Sequence, residues 1–487
     1  MPQSFGRALA QVLAAAIVLA FPLAAFPQAS WNYWRFDPFE TERSMARDPS
    51  TRWEPTSPLP VVPVPETAGQ LPAARPLSLA ELTEYALRNN PRTRQAWLAA
   101  VAAAAGVGLA KADDLPVVTA GYAFTRARPV SATSGVPSPW LNRYGPSISF
   151  SYVLFDFGAG DDVVESAEYR LLAANLAQNR TLQDVMFLVE QAYYQLIGIE
   201  ALVRVNEQLL KNIETALDAA RRRRESGLAT VADVYRAETQ VAQSQLTLTR
   251  SRGEFDKARG QLATAVGLPI QSSIQVQKLS APPEIQQVVT AVTDYLERAK
   301  ATRPDLIAAE AQARAARATA NATAKAGLPS IEVTGNTALN EYHPDRPSAR
   351  GNTLTLNLRI PIFTGFKDTY AVRQAQAQAA QAESARNVLF RQTQLEVWQA
   401  YYDLRTVTTG IATTEAQVKS AEQTAQATLA RYQAGFGSIL DLITAQQDEA
   451  TARTQRVQAY LDWFTTLARL NYSIGMSDML TTAGMKK

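Results

Sequence analysis

The side chains of this 487-residue chain that could do chemistry lie in two short, similar segments. Thr230-x-x-Asp233 and Ser438-x-x-Asp441 each place a hydroxyl three residues before a carboxylate, just after the glycines of "SGLAT" and "AGFGS". This spacing is typical of a capping box, which satisfies free N–H groups at a helix start. Aspartates at such positions could also form a ring of negative charge if several copies assemble around an axis. The sequence leaves both roles open.

Residues for catalysis or metal binding are scarce. His343, in the loop "NEYHPDRPS", is the single histidine, and without a second one or a cysteine it is a poor metal ligand and a poor base. The "GVG" at 106–108 lacks the third glycine and the strand-loop-helix frame of a dinucleotide site. We therefore expect no enzymatic activity, no cofactor and no metal.

Charge and cysteine content narrow the class of protein. Lys plus Arg is 48 and Asp plus Glu is 45, a balance that argues against nucleic-acid binding. The absence of cysteine excludes disulfides, thiolate metal sites and a lipid-modified N-terminal cysteine, so we expect a non-lipidated protein.

The N-terminus "MPQSFGRALAQVLAAAIVLAFPLAAF" has one basic residue, Arg7, before an apolar run and small residues, which predicts a signal peptide over 1–25. A membrane anchor is the alternative, but Pro22 interrupts the run and no charged stop-transfer block follows. Later segments lack about 18 uninterrupted apolar residues, so we expect no membrane-spanning helix. Export then leads to the periplasm, the exterior or a β-barrel membrane.

The two tip segments belong to an internal duplication with a constant offset of 208 positions. Each half contains one long proline-free helix, predicted over about 159–222 and 366–431, with shorter helices before and after it. An apolar seam with steps of three and four runs from Leu182 to Ala220, and the whole helix over 159–222, about 64 residues, would be a rod of about 100 Å. The aligned pairs are Phe155 and Phe363, Leu196 and Leu404, Arg223 and Arg431, Gly227 and Gly435, and Gly267 and Gly475.

Four segments alternate between apolar and polar residues, as strands do: 116–126, 145–155, 329–339 and 351–363. Each is about 10 residues long, enough to cross a bilayer when tilted, although a soluble sheet would alternate in the same way. Four strands cannot close a barrel in lipid, so the membrane alternative requires two copies or, for an open lumen, three. The residues predicted to face the membrane are Ile148, Phe150, Tyr152, Leu354, Leu356, Leu358 and Ile360.

Residues 77–476 resemble the TolC-type outer membrane efflux family in "LRNNPRTRQA", "RPDLIAAEAQ", "LFDFG", "PIFTG" and the two tips "GLATVADV" and "GFGSILDL". The resemblance implies a mainly α fold with a membrane β part. Duplicated helical hairpins would form an α-barrel, and four strands per protomer would join a trimeric twelve-stranded β-barrel. It also implies an outer membrane exit duct that extends into the periplasm. In a tripartite efflux or type I secretion system, a periplasmic adaptor would connect this duct to an inner-membrane pump.

The resemblance also implies roles for the tips. Tyr432 and Asp441 match an entrance tyrosine and a gate aspartate, and Asp233 is the counterpart in the first half. Gly437 and Thr444 stand where the family has a gate arginine and a second aspartate, which predicts a weaker charge lock. The residues expected to contact the adaptor are Gly227, Leu228, Thr230, Gly435, Phe436, Ser438, Arg223 and Arg431.

The "RRRR" run at 221–224 is open to two interpretations, a solvated helix end or a docking site for the adaptor. A diffusion porin and a periplasmic coiled-coil scaffold are the alternative functions, but a porin would consist mainly of strands and a scaffold would not need lipid-length strands. The predicted domains are a signal peptide (1–25), a Pro-rich extension (26–76), a first repeat (77–269, with its β-hairpin at 116–156), a linker (270–302), a second repeat (303–476, with its β-hairpin at 329–363) and a tail (477–487).

Overall fold

The computed structural model describes residues 75–128, 135–137, 139–272, 274–277, 291–343 and 346–476. The predicted signal peptide, the C-terminal tail and nearly all of the predicted Pro-rich extension lie outside these ranges. The described elements, in chain order, are α1 (Leu79–Asn89), α2 (Pro91–Ala112), β1 (Val117–Ala127), β2 (Leu141–Phe155), α3 (Ala159–Glu225), α4 (Val231–Val266), α5 (Val292–Thr302), α6 (Pro304–Lys325), β3 (Ser330–His343), β4 (Arg346–Arg359), α7 (Lys367–Gln433) and α8 (Ile439–Ser473).

The two halves repeat the same succession of helix, helix, β-hairpin, long helix and return helix. The long helices α3 and α7 have 67 residues each and begin 208 positions apart, at Ala159 and Lys367. This agrees with the predicted duplication. One helix was not expected: α5 lies within the predicted linker 270–302 and is the counterpart of α1. Pro91 and Pro304 separate these short helices from the next ones, because proline disfavours helical geometry in the residue before it.

The helices pack in two rows that share α3 and α7. In the row next to the sheet, α2 packs on α3, α3 on α6 and α6 on α7; in the row that ends at the tips, α4 packs on α3, α3 on α8 and α8 on α7. Two apolar clusters lie where the rows meet, one among α1, α3 and α4 and the other among α5, α7 and α8. The long helices therefore run through both rows, while the short helices end between them.

The two helix–proline junctions are held by different side chains. In the first, Asn90 accepts a hydrogen bond at Oδ1 from the Arg92 N–H (3.0 Å) and donates from Nδ2 to the Ala265 carbonyl (3.0 Å). In the second, Arg303 is 2% exposed and donates to Glu396 Oε2 (2.7 Å) and to the Ser473 carbonyl (3.2 Å).

The arginine junction has a further ion pair and a close glycine contact. The Arg303 guanidinium also binds both oxygens of Asp305, at 3.0 and 2.6 Å. A glycine follows the return helix in each half, and a Cβ atom on Gly475 would lie 2.9 Å from Arg303 Cα, against 3.1 Å between Gly267 and Asn90 Cα. The backbone is thus repeated while the chemistry of the junction is not.

The strands form one antiparallel sheet with the order β1-β2-β3-β4. The first strand has the predicted 11 residues, whereas β2, β3 and β4 have 15, 14 and 14 and are longer than predicted. Ile360, which the alternation placed in the last strand, follows its final residue, Arg359. Pro361 comes next and has no N–H to continue the ladder.

Among the described residues, α2 is the one helix long and apolar enough to cross a membrane by length and composition. The sequence analysis looked for about 18 uninterrupted apolar residues. It did not select α2, because charged residues interrupt its alanines and valines. A single helix that passes this test does not establish a membrane span.

Candidate functional site at the hairpin tips

The two tips have the same backbone geometry. Gly227 and Gly435 adopt left-handed φ angles of 71° and 89°, which glycine tolerates best. The next N–H reaches back to the last helical turn in both: Leu228 N donates to Arg223 O (2.8 Å) and Phe436 N to Arg431 O (2.9 Å). The glycines that were expected to contact an adaptor therefore also have a structural role in ending α3 and α7.

Both predicted capping boxes are present. Asp233 N donates to Thr230 Oγ1 (3.3 Å) while Thr230 N donates to Asp233 Oδ2 (2.9 Å). In the second tip, Asp441 N donates to Ser438 Oγ (3.1 Å) and Ser438 N to Asp441 Oδ2 (3.3 Å). The hydrogen bonds from the Thr230 backbone and hydroxyl hold the pKa of Asp233 below its usual value. Both aspartates thus start their helices, and a ring of charge would be an additional role.

An apolar cluster joins the two tips from below. It consists of Ile213, Ala216, Leu217, Ala220, Val234, Ala237, Tyr432, Ile439, Leu442 and Ile443. Tyr432, predicted as an entrance residue, lies inside this cluster and is 3% exposed. Its hydroxyl is buried without a hydrogen-bond partner among the described residues. The residues that bury the Tyr432 ring belong to the chain's own helices.

Arg223 connects the first tip to the second. Its Nη1 donates to the Tyr432 carbonyl oxygen, and its guanidinium carbon lies 4.8 Å from the centre of the Tyr432 ring, within cation–π range. Burial raises the pKa of Tyr432, and the Arg223 charge opposes this only in part. Arg431, the counterpart of Arg223, is exposed. The repeat alignment treated the two arginines as equivalent and did not predict that Arg223 binds Tyr432 of the same chain.

The outer surface of the tips carries exposed apolar and basic side chains. Leu228 and Phe436 occupy equivalent positions and are 69% and 82% exposed. In the arginine run, Arg221, Arg222 and Arg224 are all exposed, and Arg221 forms an ion pair with Glu238 (2.8 Å).

Gly437 and Thr444, the two positions that depart from the family pattern, differ in how closely other atoms pack around them. Thr444 is exposed on α8. A Cβ atom on Gly437 would lie 3.2 Å from the Tyr432 backbone nitrogen, so a side chain there would press on the end of α7. The tight backbone at this turn therefore suits Gly437, at the position where the resemblance implies an arginine.

The sheet has one apolar and one polar face. Phe150 pairs with Val118 and Gly335, and Gly335 pairs with Leu354, which places these residues in one row. The apolar face also holds Ile148, Tyr152, Leu356 and Leu358, of which Ile148 and the leucines of β4 are more than half exposed. The opposite face presents a row of Thr119, Ser149, Asn336 and Thr353.

Comparison with known proteins shows relatives along most of the chain. The family model described as outer membrane efflux protein matches residues 82–268 and 295–476. Protein CyaE of Bordetella pertussis is 26% identical over 389 residues, which cover 78% of this chain and 80% of that protein. Outer membrane protein OprJ of Pseudomonas aeruginosa is 25% identical over 403 residues, 80% of this chain and 83% of OprJ.

Solved structures share the fold. The outer membrane protein VceC of Vibrio cholerae has a TM-score of 0.73 at 20% identity, covering 82% of this chain and 96% of VceC. The CmeC outer membrane channel of Campylobacter jejuni has a TM-score of 0.74 at 16% identity, covering 85% of this chain and 94% of CmeC. Since the family model spans both halves with their tips and β-hairpins, the chain belongs to the outer membrane efflux protein family.

Proposed function

We propose that three copies of this protein form an exit channel through the outer membrane, connected by a periplasmic adaptor to an inner-membrane pump. The outer membrane efflux function follows from family membership. The trimer, the non-lipidated state and the roles of individual residues are the proposed parts.

The observation that carries the proposal is the common order of elements in the sheet and in both helix rows. β1, α2 and α4 lie at one end of these rows, and β4 and α7 lie at the other. Copies joined head to tail would place β4 beside β1 of the next copy, and α7 beside its α2 and α4. A head-to-tail interface that closes on itself makes a ring. One geometry would thus join the copies at every level.

The number of copies follows from the strands. An open sheet edge in lipid leaves backbone groups unpaired at several kcal/mol each, so the four-stranded sheets must close together. Eight strands would be filled by side chains, whereas twelve leave an aqueous lumen. The face with Leu354, Leu356 and Leu358 would then contact lipid and the face with Ser149 and Asn336 would line the lumen.

The tips would form the periplasmic end of the channel. The exposed Leu228 and Phe436, beside Gly227, Thr230, Gly435 and Ser438, would contact the adaptor. Asp233, Asp441 and Thr444 would surround the entrance in three copies each. The chain would then act as a passive conduit, and a partner pump would supply the energy.

The test is to express the full precursor, extract the mature protein from outer membranes in detergent, and measure its mass and its conductance in planar bilayers. We expect a heat-sensitive trimer that forms channels, and loss of export when the gene is deleted. A monomer in the soluble fraction would refute the proposal. Unchanged conductance in Asp441→Ala would remove that residue from the entrance without affecting the rest.

A further inference from the structure

Two exposed arginines lie on the apolar face of the sheet, towards the end that is far from the helices. Arg126 of β1 is eight positions from Val118, and Arg350 of β4 is four positions from Leu354. Because successive side chains of a strand alternate between the two faces, each arginine shares the face of that apolar residue. Val118 and Leu354 both lie in the apolar row of Phe150. The face that would meet lipid therefore ends in positive charge.

Aromatic side chains lie between the apolar rows and Arg126. Tyr122 and Phe124 share its face and are more than half exposed, and the Phe124 ring is stacked 6.5 Å from that of Tyr144. Trp140, just before β2, is also more than half exposed, and the guanidinium carbon of Arg126 lies 5.1 Å from the centre of its ring. Aromatic girdles mark the level of the head groups around membrane barrels. In the proposed barrel, Arg126 would therefore reach that level.

The depth of Arg350 follows from the length of β4. It is eight residues from Leu358, near the end of the strand that leads to α7, and these residues span about 27 Å. A strand tilt of about 40° turns this length into a depth of about 20 Å, and the apolar band of such barrels is about 25 Å tall. Arg350 would thus lie near the outer limit of the band. There its side chain can keep the charged group among the lipid head groups.

The charges of these two arginines are not paired with carboxylates of the same chain. Among the residues that the structure describes, neither Arg126 nor Arg350 forms an ion pair. Glu341 of β3 lies on the same face, opposite Tyr144, and is not paired with either of them. Each copy would therefore bring two guanidinium groups and one carboxylate to this level of the membrane, which favours an anionic ligand.

Arg126 and Arg350 belong to the two edge strands of the sheet. Within one copy they are three strand spacings apart, which is about 14 Å. In the proposed ring, β4 of one copy lies beside β1 of the next, so Arg350 of one copy and Arg126 of the next flank the same junction. A guanidinium group can bind two oxygens of a phosphate at once. Each of the three junctions would then offer two phosphate-binding groups to the lipid.

We propose that a phosphorylated lipid of the outer leaflet binds at each junction between copies, with its phosphates held by Arg350 of one copy and Arg126 of the next. This inference rests on the proposed trimer. Lipopolysaccharide, the main lipid of that leaflet, carries phosphates on the sugars of its lipid A part. Its acyl chains would cover the apolar face at Leu354, and Trp140 would lie at the level of the sugars. A lipid held by two copies at once stabilises their contact.

Binding is measured by native mass spectrometry of the mature trimer in detergent. The probes are lipid A, lipid A without its phosphates, and inorganic phosphate. We expect three molecules of lipid A per trimer and weaker binding of the dephosphorylated form. The double variant Arg126→Gln with Arg350→Gln should bind lipid A at least about tenfold more weakly, because each hydrogen bond to a charged group is worth about a factor of ten or more. Full retention of lipid A by this variant would overturn the proposal.

Arg143→Gln is the matched control for the single variants Arg126→Gln and Arg350→Gln, since each removes one positive charge. Arg143 pairs with Thr125, the neighbour of Arg126 in β1, so it lies at the same end of the sheet on the polar face, and it is exposed. Its substitution should leave the affinity for lipid A unchanged. An equal loss in all three single variants would indicate an effect of net charge and would contradict a site on the lipid side.

Heat dissociation of the trimer on gels gives a second measurement. Lipid A should raise the temperature at which the unmodified trimer dissociates, and it should not do so for the double variant. Binding of inorganic phosphate as tight as that of lipid A would identify a free-phosphate site and overturn the lipid assignment.

The outcomes separate the two proposals. If the protein is trimeric and conducting but binds both forms of lipid A equally, the lipid site is wrong and the channel stands. If no trimer forms, both are wrong. Conductance and circular dichroism of each variant establish that it has folded and assembled before its lipid binding is compared.

Discussion

The helix–proline junctions at Asn90–Pro91 and Arg303–Pro304 perform the same task in the two halves with different chemistry. The first uses a neutral amide that caps α2 and binds a carbonyl of the return helix. The second buries a guanidinium between two carboxylates and a carbonyl. Duplication preserved the backbone path, and each half then acquired its own way to hold it. The second junction depends on buried charge and should be the more sensitive of the two.

The largest effect is expected for Arg303→Ala. This substitution removes the buried guanidinium that Asp305 and Glu396 share, and removing one partner of a buried ion pair costs about 3 kcal/mol or more. Denaturant unfolding of the detergent-solubilised protein, followed by circular dichroism, measures the loss. A loss no greater than that of Asn90→Ala would show that the two junctions are equivalent after all.

The substitutions Gly475→Ala and Gly267→Ala compare the stability of the two junctions at equivalent positions. Gly475 and Gly267 both have left-handed φ angles, 73° and 86°, which cost alanine about 1 kcal/mol each. At Gly475 the new Cβ would also press on Arg303, so we expect a total loss of about 2 kcal/mol there and about 1 kcal/mol at Gly267. Midpoints from the same unfolding experiment test this order, and equal losses would contradict the closer contact.

A smaller effect is expected at the amide junction. Asn90→Ala removes the cap of α2 and should cost about 1 kcal/mol. Asn90→Asp keeps the capping oxygen and loses the donor to Ala265, so it separates the two hydrogen bonds. If the aspartate variant is as stable as the unmodified protein, the bond to the return helix contributes nothing.

The remaining effect depends on pH. Glu190 of α3 corresponds to Trp398 of α7, and burial raises the pKa of Glu190 from its usual value of 4.5 to about 7. The folded state then holds its proton more tightly than the unfolded state, so stability falls as pH rises from about 4.5 to 7. Glu190→Gln should reduce this fall, whereas Glu214→Gln, at an exposed site, should not. An identical pH profile in both variants would contradict the raised pKa.

Periodicity and repetition in the sequence predicted most of the fold. The 208-residue offset identified two equivalent tips, the spacing of Thr230 and Asp233 predicted a capping box, and alternation predicted four strands. Family membership confirms the predicted outer membrane efflux channel over a porin or a scaffold, and with it a conduit rather than an enzyme. The membrane-facing strand residues, the gate and the adaptor contacts stay predictions.

What the sequence did not predict depends on contacts between distant residues. Arg223 and Arg431 are equivalent in the repeat, and only the packing of one tip on the other distinguishes them. Arg303 was part of a motif, but its burial results from Glu396 and Ser473 more than 90 positions away. The helix α5 was missed because its 11 residues are short for a periodic signal and Pro304 follows closely.

The two long helices run without a break past the level at which every short helix ends. The breaks between short helices are therefore bridged by continuous backbone in each half of the chain. Bending the helical part of the chain would require α3 and α7 themselves to bend. A displacement at the tips should therefore be transmitted along these helices towards the sheet.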